Sequence, residues 1–509
     1  MPTSPALSAL LEALDQPFGE GWNEKVSEPL AALAQERGTR LEVAKEAKEG
    51  RGRLQLRANV FKSIKDAPHV ALIPPGQDSS GAYGGLSFVV FPSEKGPSLI
   101  GWVVGTQSLE PDQMVLGRPG HARKAQAIAR YLNFAARPTT GRVAWAKNDP
   151  TFVDRDAHHL PHDVLRQFEN WSECLETYGH VVHLLYAPTG AGRYSGNAQA
   201  EAALKILLDT FLAERGQPLK KQAEEERQQL RSSWMRELMP SVNADQVHQL
   251  LRERRFVVLE GPPGTGKTRM ATEELLADRF KGNGKTIQFH ANSTYESFVG
   301  GLAPEPAASG LAFKPKPGHL IEAIAAATKS GKDYLLHVDE LNRADLAKVL
   351  GECIYLFEAG APDRELELEH EYRPVGRKLR LPHNLFLLGT MNASDRSIAP
   401  IDLAVRRRFA FASIWPQPGP VEAQGDETLT ELFNDLLEIF IDHATEEAFA
   451  LVPGHSYFLY PPGQKERSAK RLLSSGLRPL LGEYLRQGLC AGFADEIRSF
   501  IERIDVLPE

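Results

Sequence analysis

The chain has 509 residues, 42% of them hydrophobic and 25% charged, with a net charge of −7. These ordinary globular values exclude a disordered, collagenous or fibrous chain, and at about 150 residues per domain they suggest about three compact units. The charge is too mild to imply or exclude a polyanionic partner. Cys174, Cys353 and Cys490 lie far apart with no CxxC pair, which excludes a disulfide framework and argues against zinc. Sparse free cysteines, no basic residue before Lys25 and no apolar run of about 18 residues lead us to expect a soluble, cytoplasmic protein without membrane contact.

In chain order, helical spacing at Ala6–Leu14 and Val26–Arg37 precedes period-two runs at Leu54–Val60, His69–Ile73, Leu86–Phe91 and Ser98–Val104. Turn residues between these runs predict an antiparallel sheet. Further helices are predicted at His121–Ala135, Asp163–Tyr178 and Ala198–Glu214, with strands at Arg142–Ala146 and Val181–Tyr186. Residues 1–216 thus read as a mixed α+β domain. Residues 217–242 are rich in Glu, Gln, Lys and Arg and read as a charged helical linker.

From residue 243 the texture changes. Short apolar strands at Phe256–Leu259, Thr286–Phe289, Tyr334–Val338 and Leu385–Leu388 alternate with helices, the pattern of a parallel α/β sheet covered on both faces. Residues 417–509 are helical in pattern, with helices predicted at Glu427–His443, Ala469–Arg486 and Phe493–Ile504.

The strongest chemical signal is Gly261-Pro262-Pro263-Gly264-Thr265-Gly266-Lys267-Thr268, between a strand and the predicted helix Arg269–Phe280. A Gly-rich turn entering a helix N-terminus offers backbone N–H groups to phosphate oxygens. Lys267 is expected on the β- and γ-phosphates and the Thr268 hydroxyl on Mg²⁺. Next, the strand Tyr334–Val338 delivers Asp339 and Glu340 at its C-terminal edge, where open α/β sheets bind ligands. Asp339 suits Mg²⁺ ligation, through water, and Glu340 suits polarising an attacking water. A third strand ends in Asn392, which could bond both the γ-phosphate and the water. Arg406, Arg407 and Arg408 follow Asp402; they are either a solvated basic turn or arginine fingers for a neighbouring subunit.

This order of phosphate loop, acidic strand, Asn strand, arginine cluster and helical lid resembles an AAA+ nucleotide-hydrolysing module. More narrowly it resembles the McrB family, motor subunits of modification-dependent restriction systems. The matching segments are Met391-Asn392-Ala393-Ser394-Asp395-Arg396, Asp339-Glu340-Leu341-Asn342-Arg343, Phe289-His290 with Tyr295–Phe298 and Gly301-Leu302, and Gly454-His455-Ser456-Tyr457-Phe458. His337 departs from the otherwise apolar strand, and Ser297 stands where an acid is usual. The resemblance implies a ring, usually hexameric, that hydrolyses GTP or ATP with Mg²⁺. It implies that Asn342 and Asn392 position water, that Asp395 and Arg396 brace that network, and that Asp402, Arg407 and Arg408 act in trans. It also implies a separate nuclease subunit of the McrC kind and recognition of DNA by the N-terminal domain. A MoxR- or dynein-like machine that remodels proteins is the rival, and a nucleotide-gated scaffold a third reading.

Two weaker features complete the reading. Between Arg53 and Lys147, 12 basic residues stand against five acidic ones, interleaved with Tyr83, Phe88, Trp102, Tyr131 and Trp145. That pattern suits either phosphate contacts with base stacking or an ordinary core. His158, His159 and His162 lack partners at ligand spacing and read as surface histidines.

Overall fold

A computed structural model describes residues 4–42, 54–59, 63–77, 83–106, 118–136, 142–148, 160–188, 192–307, 310–358, 360–361, 363–393, 401–463 and 468–508. The chain divides into two compact units, Met1–Leu238 with Ile441–His443, and Met239–Phe440 with Ala444–Glu509.

The first unit is built on a seven-stranded sheet. Its strands are β1 (Leu41–Glu42), β2 (Leu54–Asn59), β3 (His69–Ile73), β4 (Gly84–Phe91), β5 (Leu99–Thr106), β6 (Ala144–Ala146) and β7 (Val182–Tyr186). They lie in the order β1-β2-β3-β4-β5-β7-β6, antiparallel except for β1 against β2. The helix Ala198–Glu214 packs on this sheet, where the Trp102 indole N–H donates to the Leu207 carbonyl at 3.0 Å. Phe88 and Trp102 are wholly buried and Tyr83 nearly so. Of the two readings of the basic, aromatic stretch, these three rings take the core reading. The helix Lys221–Leu238 packs against the helices Gly120–Ala136 and Ala198–Glu214, anchored by buried Ala223, Trp234 and Leu238. The predicted helix Asp163–Tyr178 is two short helices, His162–Gln167 and Ser172–Tyr178, joined by a tight turn at Glu169–Trp171 that turns Trp171 into the core. His158 and His159 lie outside the described residues.

The second unit holds the parallel sheet. Its strands are β8 (Phe256–Gly261), β9 (Gly284–Gln288), β12 (Tyr334–Asp339), β15 (Leu385–Asn392) and β16 (Ala410–Ser413), in the order β16-β8-β15-β12-β9. Two antiparallel hairpins complete the strands: β10 (Gly300–Ala307) with β11 (Gly310–Pro317), and β13 (Leu366–Tyr372) with β14 (Gly376–Leu379). Side chains alternate between the two faces of a strand. Val258, Leu336, Val338 and Leu387 therefore join one core, with Leu320, Ile321 and Ile324 of the helix His319–Ser330. Val257, Leu259, Leu335, Phe386 and Leu388 join the other, with Val247, Leu251, Ala271 and Leu275. The helix after the phosphate loop begins at Lys267 and is wound over Met270–Arg279 with wider i→i+5 bonding, as in Phe280 N–H to Leu275 O at 2.9 Å.

The C-terminal segment is helical. Phe458 meets Phe433 with ring centroids 5.1 Å apart, and the Tyr484 hydroxyl donates to the Leu451 carbonyl. The predicted helix Ala469–Arg486 is broken at Gly476 into Ala469–Ser475 and Leu477–Arg486, since glycine is a poor helix former.

Candidate active site

Parallel pairing aligns the ends of three strands. Asn392 lies opposite Gly261 across β15 and β8, and Val338 lies opposite Gly389 across β12 and β15. The phosphate loop, Asp339-Glu340 and Asn392 therefore emerge at one edge. There they line a cleft of about 310 Å³ with Pro263–Arg269, Thr390, Met391 and Ser456.

Within the loop, Gly264 and Gly266 have φ of +76° and +81°, a region that glycine enters without steric cost. The Lys267 ammonium donates to the carbonyls of Gly261 (3.1 Å) and Pro262 (2.7 Å). Burial pulls it down to about 8, against Glu340 and Asp339, which hold it up. The Thr268 hydroxyl donates to Asp339 Oδ1 at 3.0 Å, and the Thr390 hydroxyl donates to the same oxygen. Thr268 and Asp339 thus bring hard oxygen donors together at the end of the phosphate loop, a donor set that suits a small divalent cation such as Mg²⁺.

Glu340 leaves the strand in the left-handed region, at φ +53° and ψ +45°. For a residue other than glycine this costs on the order of 1–3 kcal/mol, and such strain clusters at functional sites. Asn392 Nδ2 donates to Glu340 Oε1 at 3.2 Å, and Arg343 Nε lies 3.3 Å from Oε2. Asn342 Nδ2 in turn donates to the Asn392 carbonyl at 3.1 Å. Of the sequence candidates, Lys267, Thr268, Asp339, Glu340, Asn342 and Asn392 come together. Asp395 and Arg396 lie outside the described residues. Asp402, Arg407 and Arg408 do not line the cleft. Arg406 is engaged elsewhere, 3.7 Å from Glu260 and over the Phe411 ring.

Sequence reasoning missed Thr390 as a contact of Asp339. Its signal was a hydroxyl two residues before Asn392 in an apolar strand. The Gly454–Phe458 segment has a position that its motif did not reveal. The Gly454 N–H donates to the Pro263 carbonyl at 2.9 Å, and the Ser456 N–H to the Gly264 carbonyl at 3.0 Å. A Cβ on Gly454 would come within 2.1 Å of the Gly264 carbonyl, so glycine is needed for this approach.

Two predictions follow from this geometry. Phosphate beside Lys267 raises its pKa again, so nucleotide binding takes up a proton above about pH 8. Affinity should be level below that pH and fall above it, by at most tenfold per unit. Nucleotide titrations at pH 7, 8 and 9 check this, and a constant affinity up to pH 9 would contradict it. Gly454→Ala should weaken nucleotide affinity about tenfold, because the crowded methyl pushes the clasp off the loop. Gly492→Ala, with nothing within 4 Å of its added Cβ, is the control and should bind normally.

Residues 256–409 match the family described as AAA domain (dynein-related subfamily). The chain is 28% identical over 270 residues to the Type IV methyl-directed restriction enzyme EcoKMcrB subunit of Escherichia coli (strain K12), covering 48% of this chain and 57% of that protein. It is 27% identical over 196 residues to the Type II restriction enzyme BsuMI component YdiS of Bacillus subtilis (strain 168), covering 30% of this chain and 55% of that protein. The chain thus spans a little over half the length of these curated relatives. Its phosphate loop, acidic strand and Asn strand all fall inside the matched residues 256–409, which form an AAA domain, and the chain resembles the McrB subunit over about half its length.

Proposed function

We propose that the chain is the oligomeric motor of a DNA restriction or antiphage-defence complex, hydrolysing GTP or ATP and working with a separate nuclease subunit of the McrC kind. The observation that carries hydrolysis is Glu340 held by Asn392 and Arg343 beside the phosphate loop. Likeness to two restriction-system proteins supports the biological role. The rival reading, a protein-remodelling machine, draws on the dynein-related description of the domain. In the restriction reading, residues 1–216 recognise DNA, 217–242 connect, 243–416 hydrolyse and 417–509 form the lid.

In this mechanism the loop N–H groups from Gly264 to Thr268 and the Lys267 ammonium hold the β- and γ-phosphates. Thr268 and Asp339 would hold Mg²⁺, which would neutralise phosphate charge. Glu340 orients the attacking water and draws its proton, while Asn392 fixes the Glu340 carboxylate and Asn342 fixes Asn392. Asp395 and Arg396 brace this network. Asp402, Arg407 and Arg408 serve the neighbouring subunit of a ring, usually hexameric in this family. Their position outside their own chain's cleft suits that role.

Lys267→Ala should lose nucleotide binding, whereas Glu340→Gln should keep binding and lose turnover, because the carboxylate acts only when water attacks. Equal loss of affinity in both would overturn these roles. Arg407→Ala should bind nucleotide and not hydrolyse it, since an arginine finger contributes about 10³–10⁵ in rate. Mixing it with Lys267→Ala should restore phosphate release at mixed interfaces, and assembly without recovery would mean that the arginine works in cis or only holds the fold. Purified with its nuclease, the complex should hydrolyse faster on modified than on unmodified DNA. Stimulation by a protein client and not by DNA would favour remodelling.

A further inference from the structure

We propose that His337 is a positioning residue for the metal-holding carboxylate. Through the Thr390 hydroxyl it fixes how Asp339 is held, and so tunes the affinity of the site for a divalent cation. The inference rests on the reading of Thr268 and Asp339 as Mg²⁺ ligands.

His337 stands in the middle of β12 among Leu335, Leu336 and Val338, with none of its surface exposed. A polar ring in such a place is costly unless its nitrogens are satisfied. Both are. Nδ1 lies 3.3 Å from Thr286 Oγ1 on β9, and Nε2 lies 3.3 Å from Thr390 Oγ1 on β15. Thr286 is the register partner of His337, and Thr390 follows Gly389, the partner of Val338. Leu335, His337 and Asp339 alternate onto one face of the sheet, so the ring sits one strand pleat below the carboxylate.

Proton counting sets the direction of every bond. A threonine hydroxyl has one proton, and an ionised carboxylate can only accept. Thr390 gives its proton to Asp339 Oδ1 and can only accept from His337. Nε2 therefore carries the ring proton. Nδ1 of the neutral ring is bare and accepts from Thr286. The result is a chain Thr286→His337→Thr390→Asp339, crossing three adjacent strands with all donors pointing at the carboxylate. Aligned bonds of this kind strengthen one another. Thr268, the other hydroxyl on Oδ1, belongs to the phosphate loop and would face a bound cation as well. The Thr390 hydroxyl comes from a neighbouring strand and gives its one proton to Asp339, so its bond holds the carboxylate in place.

The test compares His337→Leu, Thr390→Val and the double variant. Fluorescent-nucleotide affinity is measured across a Mg²⁺ titration and again in EDTA, with thermal unfolding to verify the fold. His337→Leu should raise the half-saturating Mg²⁺ concentration about tenfold and leave the metal-free nucleotide affinity within about twofold. Thr390→Val should raise the half-saturating Mg²⁺ concentration by a similar factor. Because the effect passes through Thr390, adding His337→Leu to Thr390→Val should change little further. His337→Gln and His337→Asn separate the two nitrogens even if the leucine variant does not fold. Only glutamine places an amide N–H where Nε2 was, so its Mg²⁺ dependence should stay near that of the unaltered protein while that of asparagine weakens. An unchanged Mg²⁺ dependence in His337→Leu, equal behaviour of Gln and Asn, or an undiminished effect in the Thr390→Val background would each overturn the proposal. Nucleotide affinity of the unaltered protein that ignores Mg²⁺ would instead overturn the metal reading beneath it, and this proposal with it.

Discussion

Everything at the cleft depends on the parallel register of β8, β15 and β12. With Asn392 set opposite Gly261 and Val338 opposite Gly389, three strands end within about two residues of one another and release their loops at the same edge. A slip of one residue would exchange the faces of a strand, carrying Leu387 and Leu388 into the wrong cores. The register is also pinned locally: a Cβ at Gly389 would come within 2.7 Å of Leu341 Cδ2. The glycine lets the chain just beyond the acidic pair pack down on β15. Apolar packing on two faces therefore sets where the phosphate loop, the carboxylates and the asparagine stand, before any of them interacts with another.

Much of this was legible because buried parallel strands are short, apolar and bounded. β8, β12 and β15 announce themselves in that way, the edge strand β9 more weakly since it buries only Ile287, and the phosphate loop carries its mechanism in its spacing. β16 did not, since Ala410–Ser413 is short and made partly of small residues, and it follows an arginine cluster that reads as a turn. The hairpin β10–β11 was hidden by its four prolines, which argue against strands in a single sequence although an exposed two-stranded ribbon tolerates them. Predicted helices that broke did so at Gly476, a poor helix former, and around Trp171, whose burial outweighed a continuous helical period. The aromatic residues of the N-terminal stretch were ambiguous for a simpler reason. Composition can say that rings and positive charge are interleaved, but not that Phe88 and Trp102 point inward.

The contacts that sequence could not give are those joining separate segments. Thr390 reaches Asp339 from a neighbouring strand, and Gly454 and Ser456 reach the phosphate loop from some 190 residues further along the chain. The latter clasp is made of backbone N–H groups, so no side-chain chemistry in the motif advertises it. Its consequence is mechanical. Two hydrogen bonds tie the lid segment to the carbonyls of Pro263 and Gly264, and those residues supply the turn that surrounds the phosphates. A shift of that turn is passed to the lid through bonds already formed.

The acidic pair shows how one sequence element acquires two functions. Adjacent residues on a strand point to opposite faces, yet Asp339 and Glu340 both line the cleft. The left-handed backbone at Glu340 resolves this, turning the second carboxylate back towards the first at a cost in strain. Their surroundings then differ in kind. Asp339 accepts from two hydroxyls, Thr268 and Thr390, which hold it without adding charge and leave it suited to a cation. Glu340 accepts from the Asn392 amide and faces the Arg343 guanidinium, donors that fix its orientation, as a residue that polarises water requires. Division of labour between the two acids follows from which donors the register brings to each, and not from their own chemistry, which is nearly the same.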